Sequence, residues 1–167
     1  MSIFPLRFAR MGALLALVGC VGLLVAFTGS AAAATTTLTF KEPEKGSTFA
    51  FVDAAPKAPR KHGFPTKFSA GDELIFTNPM EMEGKRVGRL HVVCIATSSG
   101  KKPEAAGFIC HGIAKLSNGT LVFDAMLSEG NTNGAIVGGS GEYAGARGSF
   151  VSKEGKGSST TTVTLIE

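Results

Sequence analysis

The amino-acid sequence predicts an all-β fold: an eight-stranded antiparallel barrel that closes on itself. Three observations support this prediction. After residue 34 the chain shows no helical periodicity, and short runs of β-branched and apolar residues follow one another at even spacing. Glycine-rich turns separate these runs. Closure is preferred over an open sandwich because a barrel leaves no strand edge exposed to other chains.

The predicted strands begin immediately after the apolar N-terminal segment. Residues 35–41 (TTTLTFK) alternate and are β-branched, and the Asn118-Gly119 pair is a strong hairpin signal. A charged turn is expected at residues 42–46, and the complete set of expected strands is 35–41, 47–52, 72–77, 87–97, 107–116, 120–127, 135–138, 148–153 and 160–166.

Residues 135–150 (AIVGGSGEYAGARGSF) are expected to form a sharp corner between two strands. Five glycines lie within these sixteen residues. Each glycine costs a helix about 1 kcal/mol relative to alanine, so a helix is excluded. Glycine also adopts positive φ angles without steric penalty, which a tight corner requires.

Length and charge limit the classes of function. The 167 residues suffice for one domain with a hydrophobic core. Of the 17 basic residues, Arg7 and Arg10 lie in the N-terminal segment, which leaves 15 against 13 acidic residues, a net charge of +2. With so small an excess, no tryptophan and one tyrosine, a nucleic-acid partner is not expected.

The first 34 residues are expected to be a cleaved signal peptide, followed by one barrel domain at residues 35–167. Two arginines precede an apolar run at residues 11–27, and Ala32, Ala33 and Ala34 are small residues of the kind a signal peptidase accepts. The expectation is a secreted protein with no stable membrane association after cleavage. Two alternatives are an uncleaved membrane anchor and a lipoprotein modified at Cys20.

Residues 53–69 are expected to form a long, exposed, mobile loop. Three prolines lie there among lysines and arginines. A solvated connection is preferred over an arm that docks on a polyanion. If the barrel holds a ligand, this loop is a candidate lid.

Three segments resemble a known family. They are Asp72–Asn78 (DELIFTN) followed by residues 86–89 and Cys94, the hairpin at residues 116–121, and the corner at residues 137–148. Together they resemble allene oxide cyclases and the plant dirigent proteins, over most of residues 38–166. The residues that match the family's corner are Gly138, Gly139, Gly141, Tyr143, Arg147 and Gly148.

The resemblance implies an eight-stranded barrel around an apolar, lipocalin-like cavity, assembled as a homodimer or homotrimer, without a metal or an organic cofactor. It also implies that Asn78, Cys94 and Ser47 match cavity or first-turn positions of the cyclases. When residues 42–47 are aligned with the family's first turn, the cyclase glutamate falls at Thr39 and its neighbours at Lys41 and Thr48. A carboxylate that would stabilise a cationic intermediate is then missing, which argues against allene oxide cyclase activity itself.

Cys94 and Cys110 are a candidate disulfide. They lie on consecutive predicted strands whose connecting loop is centred at Lys102, so the two residues are expected to lie opposite one another. Export would favour oxidation, and the alternative is two free buried thiols.

A zinc site is not expected. Along a strand, His91 and Cys94 point to opposite faces, as do Cys110 and His111, so the four side chains cannot converge on one ion. His91 and His111 share the other face, where a hydrogen-bonded pair or an oligomer contact is preferred over a catalytic base.

Asp124 and Arg147 are further polar candidates. Asp124 lies among apolar neighbours and either faces water, the preferred interpretation, or enters the cavity as a general acid. Arg147 is expected to brace the corner by donating to backbone carbonyls.

The sequence leaves three functions open. The preferred one is a secreted barrel that captures a small hydrophobic molecule and steers its cyclisation or coupling by shape. The second is a cofactor-free isomerase or cyclase with Asn78, and in one version Asp124, as polar groups. The third is a structural envelope protein whose interior is filled by its own side chains.

Overall fold

A computed structural model describes residues 34–61, 64–127, 129 and 131–166. Residues 1–33 of the expected signal peptide lie outside this part of the chain. No helix within the described ranges is long and apolar enough to cross a membrane.

The described chain is almost entirely β-strand. Its elements in order are β1 (Thr35–Pro43), β2 (Thr48–Val52), β3 (Arg60–Lys61), β4 (Phe64–Pro65), β5 (Glu73–Met82), β6 (Lys85–Ala96), α1 (Pro103–Ala106), β7 (Phe108–Leu116), β8 (Gly119–Met126), β9 (Asn131–Gly141), β10 (Arg147–Gly155) and β11 (Ser158–Ile166).

Eight of these strands form a closed antiparallel barrel. Strands β5 to β11 pair in chain order, and β1 pairs with both β11 and β5. The predicted barrel is therefore confirmed, with β2 as an additional strand on β5. The four-residue helix α1, between β6 and β7, was not expected from the sequence and is too short to carry a periodic signal.

The barrel closes at an asymmetric seam. β1 pairs with β11 along its whole length, from Thr35 opposite Ile166 to Pro43 opposite Ser158. In the described structure β1 meets β5 at one register pair, Lys41 opposite Glu81. β2 then continues along β5.

Strict alternation of side chains separates the inside of the barrel from the outside. Along β7, residues at even positions are buried and those at odd positions are exposed. The inward residues of β6, β7 and β8 are apolar and form much of the core. Several outward residues on the same strands are also large and apolar, and these are Val93, Ile95, Ile109, Ile113 and Met126.

Two inward glycines make room for aromatic rings. A Cβ atom at Gly112 would lie 2.1 Å from the ring of Phe123, and one at Gly134 would lie 2.3 Å from the ring of Phe150. The Phe123 and Phe150 rings pack edge to face with centroids 4.9 Å apart. The two glycines therefore leave the space that these rings occupy beside the barrel wall.

The glycine-rich corner has the expected position between two strands. β9 and β10 run antiparallel, and the turn between them is closed by hydrogen bonds from Tyr143 N to Ser140 O and from Ala146 N to Tyr143 O. Gly141 has a φ of +64°, which glycine adopts without strain. Arg147 donates from Nη1 to Ala146 O, at 2.8 Å.

The described parts of residues 53–69 are more firmly held than the sequence suggested. Asp72, which is fully buried, accepts hydrogen bonds from Ala54 N and Ser69 N, each at 2.8 Å. The Phe68 ring packs edge to face against Phe51 and Phe108. The expectation of an exposed loop is therefore wrong at its C-terminal end, because the buried carboxylate of Asp72 and the buried ring of Phe68 anchor the chain there.

Candidate functional site

The barrel encloses a cavity of about 190 Å³. Most of the wall is apolar, and this part is contributed mainly by β5 to β9 together with Phe40 and Phe150. The polar lining residues are Glu42, Asn78, Thr132, Ser152, Glu154, Ser159 and Thr161.

Glu42 is the central polar group of this cavity. Its side chain is buried, with 5% of the residue's surface exposed. Thr161 donates its hydroxyl proton to Glu42 Oε1 at 2.6 Å, and Asn78 donates from Nδ2 to Oε2 at 3.1 Å. Each carboxylate oxygen thus accepts one hydrogen bond from a side chain, which offsets part of the desolvation cost and fixes the carboxylate plane.

Ser152 extends this contact into a short chain of hydroxyl groups. Its Oγ lies 2.9 Å from Thr161 Oγ1. Thr161 is the donor in this contact as well as in its contact with Glu42, so its single hydroxyl proton is shared between Glu42 Oε1 and Ser152 Oγ.

The register of four strands brings the polar residues together. Glu42 lies opposite Ser159, which lies opposite Glu154 on the next strand. In the adjacent row, Thr161 lies opposite Ser152, which in turn lies opposite Thr132. We call these six residues, together with Asn78, the polar wall. Glu154 is exposed whereas Glu42 is buried, so the polar wall leads from solvent into the barrel.

The remaining cavity surface is the apolar wall. It comprises the apolar lining residues, which are Phe40, Phe76, Met80, Leu90, Val92, Cys110, Ala114, Leu121, Phe123, Ala125, Leu127, Ile136, Phe150 and Val163. A ligand in this cavity would therefore contact mainly carbon atoms and would meet oxygen atoms at the polar wall.

The candidate site residues from the sequence are divided between the cavity and other places. Asn78 lines the cavity and contacts Glu42. Ser47 is exposed in the turn after β1, where its hydroxyl donates to Pro43 O at 3.1 Å. Asp124 is exposed on the outside of β8, with Oδ1 2.7 Å from His111 Nδ1. The structure therefore does not bring Ser47 or Asp124 to the cavity.

The two cysteines lie opposite one another on β6 and β7, both pointing inward. Their sulfur atoms are joined as a disulfide in the structure. Cys110 lines the cavity, and Cys94 lies buried behind it. In this state Cys94 has no thiol to act as a nucleophile.

The cavity carboxylate is a residue that the sequence analysis missed. It placed the family's glutamate position at Thr39, which is exposed, and assigned Glu42 to a turn. The signal was available: Leu38 and Phe40 point inward, and a period of two puts Glu42 on the same face. The conclusion that the first strand lacks a cavity carboxylate is therefore wrong.

The outward histidines do not form a metal site. Among the described residues, no group of three or more histidine, cysteine, aspartate or glutamate side chains could hold a metal ion. His91 and His111 both lie on the outer face, beside Ile75, Val93 and Ile113. His111 is paired with Asp124, which lies directly opposite it on β8.

Comparison with known proteins gives structural likeness only. No protein-family model matches the chain, and no curated protein matches it. Among solved structures, it is similar to pyocyanin demethylase, with 22% identity and a TM-score of 0.59, over 79% of this chain and 99% of that one.

Two further solved structures have the same architecture. The pterocarpan synthase dirigent protein GePTS1 is 21% identical with a TM-score of 0.53, covering 79% of this chain and 83% of that one. A nonspecific heme-binding cyclase that catalyses [4 + 2] cycloaddition during neoabyssomicin biosynthesis is 14% identical with a TM-score of 0.53, covering 83% and 69%. The chain therefore has the allene oxide cyclase/dirigent-like barrel fold.

Proposed function

We propose that this protein captures a small hydrophobic molecule inside its barrel and that Glu42 assists an internal rearrangement of that molecule, a cyclisation or an isomerisation. One observation carries the proposal: a buried carboxylate, fixed by two side-chain donors, borders a largely apolar cavity. The structural neighbours are a demethylase, a synthase and a cyclase, which supports a small molecule as the ligand of this barrel.

The cavity can contribute to such a reaction in two ways. Enclosure by the apolar wall holds a flexible ligand in few conformers and so lowers the entropic barrier to ring closure. Glu42 accepts a proton from a hydroxyl or activated C–H group, and the resulting carboxylic acid returns it to another atom of the same molecule. Substrate and product are then isomers, and no further reactant is consumed.

The cavity itself is tested first by ligand binding. Because the chain has no tryptophan and one tyrosine, the fluorescence of 2-naphthol can be measured with little protein background. Ala114 faces the cavity and is buried. We expect wild-type protein to bind 2-naphthol and Ala114→Phe to weaken binding at least about tenfold, since the added ring occupies the ligand space.

The matched control is Ala135→Phe. Ala135 is exposed on β9, so the same ring is added on the outside of the barrel. Binding should be unchanged in this variant. Equal loss in both variants, or no binding by the wild type, would contradict a cavity that takes ligands and favour the structural role.

The catalytic role is tested by following isomers. Wild-type protein and Glu42→Gln are incubated with the same small-molecule extract, and products are resolved by liquid chromatography and mass spectrometry. We expect the wild type to convert a compound into a product of identical mass and different retention. Conversion by Glu42→Gln at the same rate would show that shape alone steers the reaction, as in the dirigent-like hypothesis.

Export remains part of the proposal. We propose that residues 1–34 are removed and that Cys94 and Cys110 are oxidised in the secreted protein. The intact mass of protein purified from the culture medium should correspond to a chain beginning at Thr35, less two hydrogen atoms. A chain that retains the N-terminal segment or carries free thiols would contradict this part.

Self-association is also proposed, as a homodimer or homotrimer. The outer faces of β6, β7 and β8 expose large apolar side chains, among them Ile109 at 52% and Ile95 at 47%. Contiguous apolar surface of this kind is unusual on a monomer and is covered in an assembly. Native mass spectrometry should show the assembly in wild-type protein and monomers in Ile109→Lys.

A further inference from the structure

The charged groups that line the cavity are all negative among the described residues. Glu42 and Glu154 each contribute a carboxylate to its lining. Among the described residues, no lysine, arginine or histidine lines the cavity. A ligand therefore meets negative charge at the buried part of the polar wall and again at its exposed end.

The hydrogen bonds within the polar wall add to this asymmetry. Thr161 donates to Glu42 Oε1, and Asn78 donates to Glu42 Oε2. The protons in these two bonds point at the carboxylate and so are directed away from a ligand. Each carboxylate oxygen has a further lone pair, because it accepts one of these bonds and can accept two.

We propose that the cavity selects ring-sized apolar molecules that carry a hydrogen-bond donor, either a neutral hydroxyl or a cationic ammonium group, and rejects anionic ligands. The inference rests on the proposed function, since it concerns the same cavity. Each carboxylate oxygen of Glu42 can accept one more hydrogen bond, and a donor on the ligand supplies it. An anion would instead place a second negative charge beside a carboxylate in a partly enclosed site, where such repulsion is poorly screened.

The consequence separates two classes of hydrophobic metabolite. Phenols, alcohols and protonated amines fit the cavity, with the ring on the apolar wall and the donor at Glu42. Free carboxylic acids, fatty acids among them, do not fit at neutral pH.

Three probes with one ring system test this inference. At pH 7, 2-naphthol is neutral, 2-naphthylmethylamine is cationic and 2-naphthoic acid is anionic, while their naphthalene rings are the same. Affinities are measured by isothermal titration calorimetry on the whole protein. We expect 2-naphthol and the ammonium probe to bind, and 2-naphthoate to bind at least about 100-fold more weakly than the ammonium probe.

The source of the discrimination is tested with Glu42→Gln, which removes the buried charge at nearly constant shape. The ratio of the affinity for the ammonium probe to the affinity for 2-naphthoate should fall at least about tenfold in Glu42→Gln. Glu104→Gln removes the same charge from α1, outside the cavity lining, and should leave the ratio unchanged. Thr161→Val, which keeps the Glu42 charge, should retain the rejection of 2-naphthoate.

The outcomes distinguish this inference from the proposed function. If none of the three probes binds to the wild type, the ligand-binding cavity itself is wrong. If 2-naphthoate binds as tightly as the other two, the cavity stands and the charge selectivity is overturned. The wild-type comparison suffices for both decisions, so they do not depend on the folding of any variant.

Discussion

Two buried carboxylates, at different places in the same barrel, are satisfied in different ways. Asp72 accepts hydrogen bonds from two backbone amides, those of Ala54 and Ser69. Glu42 accepts from two side chains, those of Asn78 and Thr161. Asp72 does not line the cavity, whereas Glu42 does.

The difference shows how a barrel can use one functional group for two purposes. Backbone amides are fixed by the path of the chain, so Asp72 ties residues 54 and 69 to the start of β5. Side-chain donors can rotate or be replaced by a ligand, so Glu42 retains capacity for an incoming molecule. In the proposed function, Asp72 therefore serves stability, whereas Glu42 serves binding and chemistry.

The largest expected effect is on stability, from Asp72→Ala. This variant leaves one buried and one partly buried backbone N–H group without their acceptor, and hydrogen bonds to charged groups contribute about 1.5 to 3 kcal/mol each. We expect the free energy of unfolding to fall by about 3 to 6 kcal/mol, measured by urea denaturation. A loss below about 1 kcal/mol would mean that water replaces the carboxylate and that the loop is not anchored there.

Asp72→Asn should cost less, about 2 kcal/mol. Its carbonyl oxygen still accepts from one backbone amide, while its NH₂ group faces the other amide as a second donor. Neither backbone group can turn away. If this variant is as stable as the wild type by urea denaturation, one of the two hydrogen bonds is dispensable.

Thr161→Val is expected to lower stability by about 1 kcal/mol, since it removes the hydroxyl that joins Ser152 to Glu42. The Kd of the same variant for 2-naphthol should differ from that of the wild type, because the Glu42 carboxylate then accepts a hydrogen bond from Asn78 and no longer from Thr161. Thr162→Val, on the outward face of β11, is the matched control and should change neither stability nor binding.

The smallest expected effect on stability comes from Glu42→Gln, below about 1 kcal/mol in either direction. Glutamine keeps an oxygen for Thr161, and the Asn78 amide can rotate to present Oδ1 to the new NH₂ group. The stability losses of Glu42→Gln and Asp72→Asn can be compared directly, because both variants replace a carboxylate by an amide. Equal losses in the two variants would remove the distinction drawn between fixed and adaptable donors.

Much of the fold could be predicted from the sequence, because alternation and turn residues are local signals. Residues 107–116 were expected to form a strand on which Cys110 and His111 point to opposite faces, and the structure has β7 at Phe108–Leu116 with Cys110 buried and His111 exposed. The glycine corner and the Asn118-Gly119 hairpin were also found. The start of β5 was expected at Asp72, one residue before its observed start at Glu73.

The candidate site was predicted less well, since it depends on contacts between distant strands. Asn78 was found through the family resemblance, but its partner Glu42 lies 36 residues earlier in the chain. The charged residues after Phe40 were interpreted as a turn, although β1 continues to Pro43. Thr161 and Ser152 carried no signal at all, because serines and threonines in strands are common on either face.

The seam between β1 and β5 is the junction of the described barrel with the fewest register pairs, so we expect the barrel to open there first. One register pair, Lys41 opposite Glu81, joins the two strands in the described structure, and Glu42 follows Lys41 directly. If this pair separated, a bulky ligand could enter between β1 and β5, next to the Glu42 carboxylate, while the other strand pairs of the barrel stayed intact. Amide hydrogen exchange at Glu81 should accordingly be faster than at the centre of β7, and slower once a guest is held inside.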